Sequence, residues 1–348
     1  MWYAELIRGL EDVGLRELKH LGARQMRRVA DGARFELRDS QDMERVLKAR
    51  TLPAVYLRLT FDVPRPKALL GDAALRRLTA AVASVAGEHG AGTALSGGPF
   101  DGLRLAAAGK DSPVMRRLGE ELARSLRMGY DPEEGELLLR LRPDPEGKGW
   151  EVLVRLTPRP LTARWWRVCN RAGGLNAAVA AAMNQLAGSK RGDRYLNLMC
   201  GSGTLLVERA LAGPARCLVG VDFDPDAIGC AERNLSAAGV SERCQLITAD
   251  IADLGSELIE AAGPFDVITA DAPWGDAIGR HADNVQLYPQ LFAKAAQLAA
   301  PHARLVLLTH EVKLVRALLP DLSGWELMHE TQVAHGGHNP LLLVLRKR

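Results

Sequence analysis

The second half of the chain alternates apolar, strand-like stretches with helical ones in a regular order. Strand candidates begin at residues 194, 217, 244, 265 and 303, and each is followed by a stretch of helical periodicity. Continuous apolar strands that alternate with helices are typical of a parallel sheet covered on both faces. The ending differs, because only a short loop separates "WELMHETQV" from "PLLLVLRKR", which predicts an antiparallel hairpin. We therefore expect residues 175–348 to form a Rossmann-like parallel sheet with an antiparallel terminal hairpin.

The first half predicts smaller α/β units, and 348 residues suffice for two or three domains. Residues 1–60 hold the strand candidates "WYAELI", "ARFELR" and "AVYLRLTFDV" around two helical stretches. Prolines in "PRPKALLG" interrupt this pattern, and residues 61–160 contain a second α+β set. A basic segment, residues 161–174, then leads to the regular second half, and we call it the linker.

Charge is distributed unevenly, although the net charge is only +3. Residues 1–200 carry 33 Lys and Arg against 24 Asp and Glu, whereas residues 201–348 carry 12 against 18. This asymmetry indicates that the first part meets a polyanion.

Cellular context is indicated by what the sequence lacks. No stretch approaches the roughly 18–20 uninterrupted apolar residues of a membrane span, and the N-terminus does not resemble a signal peptide. The five cysteines form no C-x-x-C pair and no even framework, which is typical of a reducing cytoplasm. We expect a cytoplasmic monomer that needs no metal.

A glycine-rich turn and a series of acids mark the strand ends of the second half. The turn "NLMCGSGT" lies between a strand and a helix, where glycines let the backbone approach a ligand closely. Asp222, Asp250 and Asp271 end the next three strands. Because ligands bind at the carboxyl ends of parallel strands, these acids point to one crevice, with Asp222 placed for ribose hydroxyls and Asp250 for an adenine amino group. The predicted cofactor-binding residues are Asn197, Cys200, Gly201, Ser202, Gly203, Thr204, Asp222, Phe223, Asp250, Ile251 and Asp271.

Two nucleoside-containing cofactors would suit such a crevice, a nicotinamide dinucleotide and S-adenosylmethionine. A nicotinamide-dependent oxidoreductase would show G-x-G-x-x-G to hold a pyrophosphate, whereas C-G-S-G-T lacks the third glycine at that spacing. S-adenosylmethionine has no phosphate and instead needs a close backbone and polar acceptors. The turn, the acids and the terminal hairpin together resemble the class I methyltransferase fold, so S-adenosylmethionine is the predicted cofactor.

The stretch "TADAPWG" could prepare the exocyclic amine of a base for methylation. Such an amine is a poor nucleophile because its lone pair is delocalised into the ring. Groups that accept its two hydrogens return electron density to the nitrogen. Asp271 supplies one acceptor, and Pro273 fixes the direction of a neighbouring carbonyl. Trp274 stacks on a base that has been turned out of its helix. We predict Asp271, Pro273 and Trp274 as the catalytic residues, acting by positioning and electrostatics.

RNA-contact candidates lie in two basic segments. Arg116, Arg117 and Arg124 recur on one predicted helix and suit phosphate contacts or a solubilising surface. Arg164 and Arg167 flank Trp165–Trp166 in the linker, where the rings suit either base stacking or a packed domain junction.

These motifs resemble a known family. "NLMCGSGTLLVERA" is similar to the D-P-M-C-G-S-G-T-x-x-x-E-A of THUMP-containing guanine-N2 methyltransferases, and "DAPW" resembles their [DN]-P-P-[YFW] motif. The resemblance implies a ferredoxin-like domain at 1–60, a THUMP RNA-binding domain at 61–160, the linker and a Rossmann-like methyltransferase domain at 175–348. It also implies N2-methylation of a guanosine in the acceptor-stem region of tRNA, at position six. Asn197–Leu198 and Ala272 depart from the family pattern.

Other activities are compatible with the same residues. A guanine-N2 methyltransferase of ribosomal RNA, or an adenine-N6 methyltransferase, would use the same catalytic motif. Because Asn197 replaces an acid and Ala272 a proline, a non-catalytic RNA-binding member of the family is a further alternative.

Overall fold

The computed structural model divides into two units, and each unit is formed by two separate stretches of the chain. The structure describes residues 1–88, 100–145, 147, 149–273, 281–334 and 336–348, with the backbone alone for 281–283. Unit 1 comprises Met1–Leu6 and Leu15–Ala163, and unit 2 comprises Ile7–Gly14 and Arg164–Arg348. A short N-terminal segment thus belongs to the unit that holds the C-terminal half.

Unit 1 is built on one mixed sheet. Its described strands are β1 (Trp2–Glu5), β2 (Arg24–Val29), β3 (Gly32–Glu36), β4 (Val55–Phe61), β5 (Leu103–Ala107), β6 (Leu137–Pro143) and β7 (Trp150–Arg155). Its helices are α1 (Glu11–His20, which begins in the stretch assigned to unit 2), α2 (Ser40–Val46), α3 (Asp72–Glu88) and α4 (Pro113–Ser125). In the described residues the strand order is β2-β3-β1-β4-β7-β6-β5.

The expected boundary between residues 60 and 61 falls inside this sheet. Strand β4 pairs with β1 on one side and with β7 on the other, so both N-terminal regions contribute to one layer. Strand β2 was not predicted, because "RQMRRV" is strongly basic and lies at the sheet edge, where no apolar alternation is required. The division into ferredoxin-like and THUMP domains stays a prediction.

Unit 2 has the predicted alternation of strands and helices. Its described strands are β8 (Arg194–Leu198), β9 (Cys217–Asp222), β10 (Gln245–Thr248), β11 (Phe265–Asp271), β12 (Ala299–Thr309), β13 (Trp325–Gln332) and β14 (Leu341–Lys347). Its helices are α5 (Ala177–Leu186), α6 (Thr204–Ala212), α7 (Pro225–Ala237), α8 (Ser256–Ala262), α9 (His281–Leu298) and α10 (Val312–Leu318).

The sheet of unit 2 confirms the expected fold class. Within the described residues the order is β10-β9-β8-β11-β12-β14-β13, and the first five strands in this order are parallel. Strand β14 runs antiparallel to both β12 and β13, as expected for the terminal hairpin. Hydrophobic cores cover both faces, with Tyr195 in one and Leu196 in the other. A covered parallel sheet leaves its strand ends as the place for a ligand.

Membrane insertion through a helix depends on its length and its hydropathy. Across the described ranges, none of the helices combines the length and the apolar character that crossing a bilayer requires.

Candidate active site

A cavity opens at the carboxyl ends of β8, β9 and β11 in unit 2. Its walls come from the loop after β8, the residues that end and follow β9, the end of β11, and the last part of the linker. The lining ranges are 171–175, 199–202, 204–205, 222–224 and 271–273, together with Ala227. The cavity therefore gathers residues 199–202 and Thr204 of the predicted glycine turn with Asp222, Phe223, Asp271 and Pro273.

The glycine turn has a backbone that few side chains would permit. Gly201 and Gly203 both have positive φ, of +53° and +77°. A Cβ atom on Gly203 would lie 3.0 Å from the Cβ atom of Ala231, so this glycine lets the turn pack against α7. A Cβ atom on Gly201 would meet open space, which leaves its backbone accessible to a ligand. Thr204 begins α6, whose N-terminus faces this cavity.

Asp222 holds the turn as well as lining the cavity. Its carboxylate accepts a hydrogen bond of 2.8 Å from the backbone N–H of Gly201 and one of 3.1 Å from that of Asp224. An ionised carboxylate has about four acceptor positions, so capacity remains for ligand hydroxyls. Phe223 follows, and although it lines the cavity it is 66% exposed. An exposed ring beside a carboxylate suits the base and the ribose of a nucleoside.

Four predicted cofactor-binding residues do not line the cavity: Gly203, which packs against α7, and Asn197, Asp250 and Ile251. Asn197 is fully buried in the sheet, where its Nδ2 donates to the carbonyl oxygens of Leu198 and Thr269. Asp250 accepts a hydrogen bond of 2.8 Å from the N–H of Ala252 and so caps a short 3₁₀ turn. Ile251 is buried in the core. Each residue has a structural role at its strand, which the strand-end pattern alone did not separate from a cofactor role.

Cys200 lines the cavity but is poorly suited to nucleophilic chemistry. Burial raises the pKa of its thiol well above the ordinary range, so it stays neutral. The hydroxyl oxygens of Ser202 and Thr204 lie 3.4 Å apart, and both side chains are buried. These residues shape the turn between β8 and α6.

Asp271 ends β11 and lines the same cavity. Burial raises the pKa of its carboxyl group from the ordinary value of 3.8 to about 7. The N–H of the next residue, Ala272, donates a 3.0 Å hydrogen bond to the carbonyl oxygen of Leu308. A proline at this position would lack that donor, so the departure from the family motif adds a bond between the ends of β11 and β12. Trp274 and Gly275, the remaining residues of the motif, lie outside the described residues.

The last part of the linker forms a cavity wall that the sequence did not predict. Arg171 forms an ion pair with Asp224, which also caps α7 by accepting from the N–H of Asp226. Asn234 of α7 accepts from the N–H groups of Val168 and Cys169, and its amide donates to the carbonyl oxygens of Cys169 and Ser202. The sequence signal that could have revealed this contact is Asn234 itself, a polar residue on the buried face of the amphipathic helix α7.

Two cysteines of this region are joined. Cys169 of the linker and Cys230 of α7 form a disulfide with their Cα atoms 5.5 Å apart. Cysteine number and spacing predicted no disulfide framework, and this bond was missed. The path of the linker across α7 brings the two cysteines together, and sequence spacing does not encode that path.

The arginines predicted to contact RNA fall into two groups. Arg116, Arg117 and Arg124 are exposed on α4 of unit 1, where Arg124 also pairs with Glu121. Arg164 and Arg167 are engaged inside unit 2: Arg164 pairs with buried Glu208 at 2.8 Å, while Arg167 bonds to the Leu175 carbonyl and the Thr204 hydroxyl. The burial of Arg167 lowers the pKa of its guanidinium.

The two linker tryptophans behave differently. Trp166 is buried in the core of unit 2, whereas Trp165 is 63% exposed. Trp166 therefore packs inside unit 2 and is not available to stack on a base.

A metal site would need several ligands in one place. The described part of the chain contains no group of three His, Cys, Asp or Glu residues that suits a metal ion.

Comparisons with known proteins agree with this geometry. A model of the UPF0020 family, described as an RMKL-like methyltransferase domain, matches residues 164–340. The chain is 33% identical over 235 residues to a tRNA (guanine(6)-N2)-methyltransferase of Thermus thermophilus, which covers 67% of each protein. A protein of the same name from Archaeoglobus fulgidus is 29% identical over 199 residues, or 50% of this chain and 49% of the relative. The crystal structure of TrmN from Thermus thermophilus has a TM-score of 0.74 and 27% identity, covering 100% of this chain and 99% of that one.

Proposed function

Because this chain belongs to the UPF0020 family of RMKL-like methyltransferase domains, we propose that it is a tRNA (guanine-N2)-methyltransferase that uses S-adenosylmethionine. Its substrate is a guanosine in the acceptor-stem region of tRNA, at position six, the position named for the relatives from Thermus thermophilus and Archaeoglobus fulgidus. One observation carries the proposal: Asp271 lines the same cavity as the glycine turn and Asp222.

The cavity walls provide contacts for each part of the cofactor. Asp222 would accept from the ribose hydroxyls, and the exposed ring of Phe223 would stack on the adenine. The open backbone at Gly201 and the N-terminus of α6 would hold the amino acid end. Bound in this cavity, S-adenosylmethionine supplies an electrophilic methyl group on its sulfonium.

Asp271 and its neighbours prepare the amine that receives the methyl group. The Asp271 carboxylate accepts one amine hydrogen, and a backbone carbonyl of Ala272–Pro273 accepts the other, which restores electron density to the nitrogen. The hydrogen bond from Ala272 to Leu308 holds this backbone in place. Trp274 stacks on the everted base. No covalent enzyme intermediate is required.

The exposed arginines of α4 provide a surface for the tRNA body. Arg116, Arg117 and Arg124 project from a region that we assign to the THUMP domain at 61–160, after a ferredoxin-like domain at 1–60. Contacts of this kind bind phosphate and leave the choice of nucleotide to the catalytic cavity.

The test is methylation of defined tRNA transcripts with purified protein. Nucleoside mass spectrometry should detect N2-methylguanosine with guanosine at position six and none when adenosine replaces it. Asp271→Ala should abolish methylation while tRNA affinity, measured by filter binding, stays nearly unchanged. Methylation that persists without guanosine at position six, or that occurs only with ribosomal RNA fragments, would reject the assigned substrate. N6-methyladenosine as the product would reject the assigned reaction.

A further inference from the structure

The disulfide between Cys169 and Cys230 joins two segments that form the cofactor cavity. Cys169 lies in the linker two residues before the lining segment 171–175, and Cys230 lies in α7. The two positions are 61 residues apart in sequence. The bond therefore links a cavity wall to the helix that follows Asp222 and Phe223.

The disulfide works together with polar contacts at the same junction. Asn234, one helical turn beyond Cys230, is hydrogen-bonded to the backbone of Cys169 and to Ser202 of the glycine turn. At the beginning of α7, Asp224 pairs with Arg171. The linker is thus attached to α7 at three successive levels, and the disulfide is the middle one. The polar attachments do not depend on thiol oxidation, so reduction would loosen this wall without releasing it.

The two sulfur atoms lie in different surroundings. Cys169 is partly exposed, and the guanidinium Nη2 of Arg233 lies 2.9 Å from its Sγ atom. Cys230 is 1% exposed. A neighbouring cation favours the thiolate, which is the form that attacks disulfides, so Cys169 is the reactive member when the pair is reduced.

We propose that Cys169 and Cys230 form a reversible thiol–disulfide site that reacts with small-molecule disulfides and adjusts the affinity for S-adenosylmethionine. The Cys169 thiolate attacks one sulfur of the small disulfide, forms a mixed disulfide and releases one thiolate. The Cys230 sulfur then attacks Cys169 Sγ, which forms the protein disulfide and releases the second thiolate. Each released thiolate takes up one of the two cysteine protons, so one disulfide is reduced for each one formed. The effect on the cofactor rests on the cofactor site of the proposed function.

Oxidation should strengthen cofactor binding. The bond restricts residues 171–175 to the lining position, and a preorganised wall loses less conformational freedom when a ligand binds. We expect the oxidised protein to bind S-adenosylmethionine about fivefold more tightly than the reduced protein. The direction follows from restraint of the linker alone, because neither sulfur is a lining atom of the cavity.

The chemical part is tested by counting thiols. The full-length protein is equilibrated with mixtures of reduced and oxidised glutathione, alkylated under denaturing conditions and weighed as intact protein. The reduced protein should take up five labels and the oxidised protein three, because Cys200, Cys217 and Cys244 remain free. Arg233→Gln should slow the reaction with oxidised glutathione about tenfold without changing the final label counts. Five labels in every mixture would overturn the proposal.

The coupling is tested by calorimetric titration with S-adenosylmethionine. Cys169→Ser should bind like the reduced protein in every glutathione mixture, and the matched variant Cys244→Ser should keep the full redox response. Cys230→Ala provides a second variant in which the bond cannot form. Equal Kd values for oxidised and reduced wild-type protein would overturn the coupling. Neither readout includes tRNA, so an incorrect tRNA substrate would leave both results intact.

Discussion

Asp271 has to be ionised to accept an amine hydrogen, yet its surroundings favour the neutral acid. Burial raises the pKa of its carboxyl group to about 7, so both protonation states are present near neutral pH. A protonated acid would present a hydrogen of its own to the amine. The proposed reaction therefore depends on pH through this one side chain.

The methylation rate should rise with pH through a single ionisation near 7. Below that pH, Asp271 is protonated and cannot accept the amine hydrogen, so the rate should fall about tenfold for each pH unit. Asp271→Asn keeps an acceptor oxygen but cannot titrate, and its lower rate should be independent of pH across this range. The measurement is the initial rate at saturating tRNA and S-adenosylmethionine. A wild-type profile as flat as that of Asp271→Asn would contradict the assignment.

Asp271→Asn should also stabilise the folded protein above neutral pH. The pKa of Asp271 is higher in the folded protein than in the unfolded chain, so folding favours the protonated acid. Stability is therefore greatest below the unfolded pKa near 4 and declines as the pH rises towards 7. At pH 8 the amide should add about 2 kcal/mol to the free energy of unfolding, since partial exposure limits the gain. Urea unfolding at pH 8 and pH 5 measures this, and an equal effect at both values would contradict it.

At the scale of elements, the linker is held by Arg164, which the sequence suggested as an RNA contact. Glu208 is 1% exposed on α6, and its carboxylate pairs with Arg164. Removal of one member of a buried pair leaves a poorly compensated charge in the protein interior.

Arg164→Met alone should lower the free energy of unfolding by about 3 kcal/mol. The double variant Arg164→Met with Glu208→Leu should recover more than half of that loss, because the Glu208 carboxylate is no longer left uncompensated in the interior. Chemical denaturation of the single and double variants measures both effects. If the single variant unfolds like the wild-type protein but binds tRNA more weakly, Arg164 acts at the RNA surface instead.

The amino-acid pattern predicted the elements with a clear period and missed those without one. Strands β8, β9 and β11 are largely buried, and their ends were enough to locate the glycine turn, Asp222 and Asp271. Asp250 followed the same pattern, but its role as a cap depends on a local hydrogen bond that the pattern does not encode. The linker has no period, so neither its contribution to the cavity nor its disulfide could be predicted.

At the scale of the whole molecule, tRNA affinity and cofactor binding should depend on different parts of the chain. The basic first half should set the affinity for tRNA, and unit 2 should bind the cofactor. Charge reversal of Arg116, Arg117 and Arg124 to Glu should weaken tRNA binding. It should also reduce the magnitude of the negative slope of log affinity against log salt by about two to three. The Kd for S-adenosylmethionine should not change, because the cofactor cavity is lined by unit 2 alone. Filter binding at several salt concentrations measures the slope. Charge reversal of Arg124 alone and of Arg316 on α10 is the matched comparison, because both arginines are exposed and paired with one glutamate. An equal effect of these two single changes would contradict a specific surface on α4.

The segment Ile7–Gly14 has a consequence for how such proteins evolve. Ile7, Leu10 and Val13 fill the same core of unit 2 as Trp166, although more than 150 residues separate them in the sequence. A protein that began at Arg164 would lack these side chains and expose the surface they cover. Recombination that exchanged the N-terminal region between relatives would also exchange part of the interior of the methyltransferase unit. We therefore expect the two regions to be inherited together and to accumulate compensating substitutions in pairs.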